Sequence, residues 1–251
     1  MLVNDGSVDS TSEVINNTDA IVITHPYNVG YGKSLKDGIK SSSNDIIFIT
    51  DADGTYPIEK IPELLNEYKK GFNMVVGARQ GKNYDGNFIK KINRKILKFL
   101  VEFTAGRKIP DINSGLRVFS KEESQVYFNT LCDTFSFTTS LTLAYLMNNK
   151  FVKYIPIEYH KRVGNTKVKL FKDSLRTLQY IVEAILFYNP IKIFIIFSII
   201  LIVLSVFSFG FTFLWGLKST FMIGISCIFL SILMFGIGMI ATILKQILHK
   251  I

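Results

Sequence analysis

The run IIFIT (46–50) leads straight into Asp51-Ala52-Asp53, with Gly54 and Pro57 close behind. Two carboxylates at the end of an apolar, β-favouring stretch repel each other and lose hydration, so something cationic must neutralise them. Hard carboxylate oxygens suit Mg²⁺ or Mn²⁺, and such an ion bridges readily to a diphosphate. On this reading Asp51 and Asp53 are the candidate catalytic and metal-holding residues. Further upstream, HPYNVGYGKSL (25–35) is a glycine-bearing loop entering a helix. Glycines there let backbone approach a ligand closely, and Lys33 can neutralise phosphate. LVNDGSVDST (2–11) is a short apolar strand ending in Asn-Asp-Gly-Ser, with Asp9, Ser10 and Thr11 placed to cap a following helix. Taken singly, each of these is an ordinary strand-to-helix turn; as an ordered set they are far less a product of chance.

A second chemistry fits part of the same pattern. DADGT after an apolar strand also resembles the first motif of haloacid-dehalogenase-type phosphatases, which would make Asp51 a nucleophile and Asp53 an acid/base. That family needs a later acidic motif for Mg²⁺, but the acids after Asp53 are dispersed, with no DD or GDxxxD. Its motif also stands near the start of its domain, whereas here a strand and other motifs come first.

These residues need strands to carry them. Apolar runs at Ile21–Thr24, Ile46–Thr50 and Met74–Val76 alternate with helix-like stretches, GKSLKDGIKSS and PIEKIPELLNEYKKG, the second closing at Gly71. Such alternation predicts an α/β domain, a largely parallel sheet with helices on both faces and ligands beyond the carboxyl ends of the strands. Asp51 and Asp53 stand at one such end.

Charge and hydropathy divide the chain further. Its 251 residues carry 29 basic and 20 acidic side chains, a formal net charge of +9. Residues 82–108 hold eight Lys/Arg against two acids, and residues 160–176 six against one. Apolar residues recur at helical spacing in both blocks: Ile89, Ile92, Ile96, Phe99 and Phe103, then Phe171, Leu175, Leu178, Val182 and Ile185. Such helices either lie in a membrane interface or pack on the sheet with a solvated basic face. The second block leads into the membrane segments, which favours the interface there. Residues 193–217 and 221–244 contain no charged side chain, and each exceeds the roughly 20 residues that span a bilayer. Only Lys218, Ser219 and Thr220 separate them, predicting a tight transmembrane hairpin. Lys192 before it and Lys245 and Lys250 after it, against Lys218 alone in the turn, predict that both ends and the N-terminal domain are cytoplasmic. No cleavable signal peptide is visible. Cys132 and Cys227 stand far apart and His25, His160 and His249 are scattered, which argues against a disulfide framework or a zinc cluster. Nucleic-acid binding would account for the basic blocks but not for the hairpin or the acidic pair.

NDGSVDST, NVGYGKSLKDGI, DADGTYP, VVGARQG, NSGLRVFS and RVGNTK, in this order, resemble the family 2 glycosyltransferases, and among them the dolichyl-phosphate mannosyltransferase-like, or polyprenyl-phosphate, enzymes. The resemblance covers essentially residues 2–170. It implies a GT-A-type, Rossmann-like nucleotide-sugar-binding domain at 1–170. An amphipathic juxtamembrane helix at 171–190 and a transmembrane hairpin at 191–251 would follow, in the membrane-anchored branch of the family. By the family pattern, Asp5 contacts the donor base, Asp51 lies near the donor ribose and sugar, and Asp53 ligates the metal. Arg79 matches the arginine of a GSR segment; Arg117, Arg162 and Lys167 match positions that hold donor and acceptor phosphates.

Three departures stand out. The family opens with an apolar strand and a PxYNE segment supporting the nucleotide, and this chain starts past it at Met1. That predicts an exposed sheet edge and half a nucleotide pocket, with a misassigned start, a truncated chain or an inactive protein as explanations. Asn4 stands where many members have Asp, and Thr55 where the mannosyltransferases often have a metal-binding Gln.

The implied reaction is single-displacement transfer, with inversion, from a UDP- or GDP-linked sugar to a dolichyl or undecaprenyl phosphate. A phosphomonoester with a second pKa near ~6 is already anionic at neutral pH, so no strong general base is required. A non-catalytic assembly partner with the same fold is the alternative from another class. A processive synthase is disfavoured, since no QxxRW motif occurs and Trp215, the only Trp, lies in a span. The sugar, the nucleotide and whether the chain forms a homo-oligomer stay open.

Overall fold

A computed structural model describes residues 1–81, 88–134, 136–161, 178–179, 182–183 and 185–248; within 88–97, Lys95 is the one described side chain. Two compact units result, 1–181 and 182–251.

In the first unit, strands and helices alternate as the hydropathy pattern predicts. β1 (Leu2–Asp5), α1 (Thr11–Asn16), β2 (Val22–His25), α2 (Tyr31–Ser41) and β3 (Ile46–Ile49) come first. After a single 3₁₀ turn at Ile58–Lys60 come α3 (Ile61–Tyr68), β4 (Met74–Gln80) and α4 (Phe88–Ala105). β5 (Arg117–Ser120), α5 (Lys121–Gln125), α6 (Phe137–Met147) and β6 (Val152–Glu158) complete the order. Pro62 sits in the first turn of α3, where its missing N–H costs nothing. Thr11 N–H bonds Asp9 Oδ1 at 3.1 Å, giving α1 the start that its sequence suggests.

The strands do not form one parallel sheet. β1 and β2 pair parallel, and β3-β5-β4-β6 form a second sheet in which β5 runs antiparallel to both neighbours. β4 and β6 are parallel. The reversal comes from the segment after α4, which brings Asn113-Ser114-Gly115 to the carboxyl end of β4, where Ser114 Oγ donates to Gly77 O at 2.5 Å. β5 therefore starts at that end and runs away from it. Among the described residues β1 pairs only with β2, and β3 only with β5, so each keeps one open edge; Ile46 on β3 is 41 % exposed. One core cluster joins Leu64 of α3 to Val75, Val118, Ile155 and Ile157 of the sheet. α6 is buried on every side, from Phe137 to Leu146.

The predicted apolar stripe of the first basic block holds only in part. At its described end α4 buries Val101 and Thr104, while Phe99 is 61 % exposed and stacks on Phe103 at 6.2 Å.

α2 is wedged by close backbone approach. A Cβ on Gly32 would stand 2.2 Å from Cys132 O and 2.7 Å from the Asp133 carbonyl carbon. We expect Gly32→Ala to destabilise the unit by about 1–3 kcal/mol, since backbone cannot give way as a side chain can. Thermal unfolding would check this; an unchanged midpoint contradicts the wedge.

In the second unit, α7 (Pro190–Trp215) and α8 (Lys218–Leu248) form an antiparallel hairpin, each long and apolar enough to cross a membrane. The turn is tighter than predicted. Gly216 takes the left-handed conformation (φ 66°) and ends α7, so Lys218, Ser219 and Thr220 already belong to α8. Small and hydroxyl residues line the seam. Ser198 and Ser231 exchange hydrogen bonds with each other's carbonyls at 3.0 and 3.1 Å, and Ser205 donates to Gly224 O at 2.8 Å. These residues recur every seven positions, which keeps them on the facing sides of the two helices. Large apolar side chains point outward, Phe213 being 90 % exposed. Of the proposed juxtamembrane helix, 178–179, 182–183 and 185–188 are helical, and the remaining positions up to 186, Phe171 and Leu175 included, lie outside the described residues.

Candidate active site

All strand tips that carry predicted residues meet at one end of the first unit. At the tip of β1, Asp5 accepts from Val29 N–H (2.9 Å) and Gly30 N–H (3.0 Å) and lies 3.0 Å from His25 Nδ1. Burial alone would raise the Asp5 carboxyl, but these amides and His25 outweigh it and hold the group below its ordinary value. At the tip of β3, Asp51 Oδ1 accepts from the Tyr31 hydroxyl at 2.9 Å. Its carboxylate also lies flat against Gly115, where an added Cβ would come within 2.9 Å of Oδ2. Asp53 sits in the turn beyond, and its Oδ1 accepts from Thr55 N–H (3.1 Å) and Thr55 Oγ1 (2.5 Å).

The far side of the cleft is built from β4, β6 and the loop before β5. Arg79 grips Asp111 with Nε to Oδ2 at 2.7 Å and Nη2 to Oδ1 at 2.9 Å, and its guanidinium lies 5.4 Å from the Tyr159 ring centroid. Asp111 is buried; burial would raise its carboxyl, yet Arg79 and the Asn113 amide hold it below the usual range. Tyr56 packs edge-on against Tyr159 at 5.5 Å and accepts from Gly115 N–H at 2.6 Å. Burial is the main reason its phenol is pushed up to about 12. Two backbone bonds, Tyr159 N–H to Gln80 O (3.1 Å) and His160 N–H to Thr55 O (2.9 Å), pin the end of β6 beside the Asp53 turn.

The predicted residues divide accordingly. Asp5, Asp51, Asp53 and Arg79 come together at this end. Lys33 lies in the first turn of α2, partly exposed and paired with Asp37 at 2.7 Å. Arg117 corrects its expectation as a phosphate ligand. Its side chain is fully buried, donating to the carbonyls of Ser114 (2.5 Å) and Thr138 (2.9 Å) and to Thr142 Oγ1 (3.1 Å). A guanidinium so committed beneath the surface holds the NSG loop onto α6 instead. Arg162 and Lys167 lie outside the described residues.

Sequence reading missed Tyr31, Tyr56, Asp111 and Tyr159. Asp111 stands three residues before Ser114 of a recognised motif, the one signal that could have marked it.

Among the described residues no group of three or more His, Cys, Asp or Glu is arranged to hold a metal. Two carboxylates oriented by Tyr31 and Thr55 are still a fitting donor set for Mg²⁺ or Mn²⁺, which take one or two carboxylates and complete their shell with substrate phosphates and water.

Glycosyl transferase family 2 matches residues 1–128, half of the chain. The chain belongs to that family. Among curated relatives, the low-salt glycan biosynthesis hexosyltransferase Agl6 of Haloferax volcanii is 28% identical over 185 residues, covering 72% of this chain and 44% of the relative. A dolichyl-phosphate hexose transferase of the same organism is 26% identical over 185 residues, 72% of this chain and 79% of the relative. The chain thus spans less than half of the first of these and most of the second. The GT-A-like fold is shared with glucosyl-3-phosphoglycerate synthase of Mycobacterium tuberculosis, solved with Mn²⁺, UDP and glucosyl-3-phosphoglycerate. The TM-score is 0.57 at 17% identity, over 73% of this chain and 67% of the other.

Proposed function

We propose that this family 2 glycosyltransferase is a membrane-anchored, inverting enzyme that moves a sugar from a nucleotide-diphosphate sugar to a polyprenyl phosphate. The observation that carries the reading is the convergence of Asp5, Asp51 and Asp53 at one end of a GT-A-like unit, in a chain that also holds two helices fit to span a membrane. A dolichyl-phosphate hexose transferase among the relatives supports the lipid acceptor, and a fold neighbour solved with UDP and Mn²⁺ supports the donor and the cation.

In this reading Asp5 and Asp51 orient the donor, while Asp53, with Asp51 beside it, holds Mg²⁺ or Mn²⁺. When bound, the cation offsets negative charge on the departing nucleotide diphosphate. Asp53 enters the reaction already oriented, because Thr55 holds its Oδ1. Arg162 and Lys167 are proposed to hold the acceptor phosphate in line with the anomeric carbon. That phosphate is anionic at neutral pH, so the chain need only position it. The hairpin keeps the unit at the bilayer surface, where the headgroup of a prenyl lipid is found, and so replaces a search through solution by a local one. The lysines flanking the hairpin favour a cytoplasmic catalytic unit in the cell membrane.

The test uses the chain in membranes, a panel of radiolabelled UDP- and GDP-sugars, and added dolichyl or undecaprenyl phosphate. We expect label from one donor to enter an organic-extractable, acid-labile lipid. No transfer from any donor would overturn the reading in favour of a non-catalytic assembly partner.

A further inference from the structure

We propose that Val29–Tyr31 is a clip that sets the positions of the Asp5 and Asp51 carboxylates, with Tyr31 a positioning residue for the nucleoside-diphosphate donor. The proposal rests on the reading that Asp51 lies beside that donor.

Among the described residues β1 and β3 belong to different sheets, and no ladder of backbone bonds there fixes their tips relative to each other. Three consecutive residues supply the missing link. The Val29 and Gly30 amides hold the two oxygens of Asp5 at 2.9 and 3.0 Å, and the Tyr31 hydroxyl holds Asp51 Oδ1 at 2.9 Å. The clip is itself anchored. Gly30 adopts φ 105°, and a Cβ there would stand 2.7 Å from Asp133 O. Lys33 N–H donates to that same carbonyl at 3.0 Å. Lys36 Nζ reaches Leu131 O at 2.6 Å and Asp133 Oδ1 at 2.7 Å. Segment 131–133 thereby locks the first turns of α2, and with them the direction of the Tyr31 ring. Gly115 closes the opposite side of Asp51. Between hydroxyl and glycine the carboxylate has little freedom, whereas Asp53 is held separately by Thr55.

Tyr31→Phe removes one oxygen and leaves the packing. A hydrogen bond to an ionised carboxylate is strong enough that its loss should weaken donor binding about tenfold. The experiment measures binding of UDP and of GDP, each with Mn²⁺, by calorimetry, alongside steady-state transfer in membranes. We expect nucleotide Kd and donor KM to rise together, about tenfold, with kcat at saturating donor and acceptor KM within about twofold of wild type. Gly115→Ala, which crowds Asp51 from the other side, should give the same signature. Wild-type Kd and donor KM in Tyr31→Phe overturn the clip. So does a loss confined to kcat, or a wild-type chain with no affinity for either nucleotide. A wild-type chain that binds nucleotide but transfers nothing overturns the proposed reaction alone, and the clip is then judged on the nucleotide affinities.

Discussion

Asp53→Ala is expected to lower sugar transfer by roughly 10³-fold or more while the protein still folds and inserts. The size of the effect follows from what the side chain does. Asp53 lies in a turn, partly exposed, and its Oδ1 accepts from the amide and hydroxyl of Thr55 in the same turn. The Thr55 bonds that the substitution loses are local to the turn and are worth about 1 kcal/mol of stability. The catalytic loss is large because a departing diphosphate then lacks charge compensation in a cleft already holding Asp5 and Asp51. Manganese affinity, read by electron paramagnetic resonance, should fall in parallel. Thr55→Val, which spares the carboxylate but frees its orientation, should fall between Asp53→Ala and wild type. Transfer at the wild-type rate in Asp53→Ala would refute the proposed role of this residue.

Asp111→Ala should be the most destabilising single change at the cleft, by about 3–5 kcal/mol. Arg79 is only 14 % exposed and Asp111 1 %, so the substitution takes the two-point carboxylate partner away from a buried guanidinium. The double variant Arg79→Met with Asp111→Leu should recover much of that loss, because it buries no lone charge. Chemical denaturation of the chain in detergent micelles distinguishes the two; equal losses would mean the pair acts through packing alone. The pH dependence has a definite sign. The Asp111 carboxyl is held below its unfolded value, so its contribution is fully present above the ordinary carboxylate range near ~4. It is lost as pH falls through the lower value of the folded state. Stability in mild acid should therefore drop less steeply in Asp111→Ala than in wild type.

Much of this protein can be read from its primary structure because the relevant forces are local or compositional. Two uncharged runs of bilayer length predict two long apolar helices joined by a short turn, and the structure forms that hairpin, each helix long and apolar enough to cross a membrane. Apolar stretches ending in Gly, Asp and Ser mark strand tips because those residues favour turns, and Asp5, Asp51 and Asp53 do sit at tips. The ordered motifs likewise announce family 2 before any coordinate is consulted, and the family match bears that out.

Only tertiary structure decided which charges face the cleft. Arg117 reads as a phosphate ligand from its motif, but it opens β5 on the face covered by α6, where its guanidinium is buried against Ser114, Thr138 and Thr142. Alternation of strands and helices carries no information about the antiparallel course of β5 either, since strand direction depends on where a long connection re-enters the sheet. Tyr31 and Asp51 are 20 residues apart, and Arg79 and Asp111 are 32 apart. No periodicity links such pairs. They meet because the start of α2 folds over the tip of β3 and the segment before β5 folds over the end of β4, so that side chains scattered through the chain share one partly dehydrated volume where each carboxylate finds a donor.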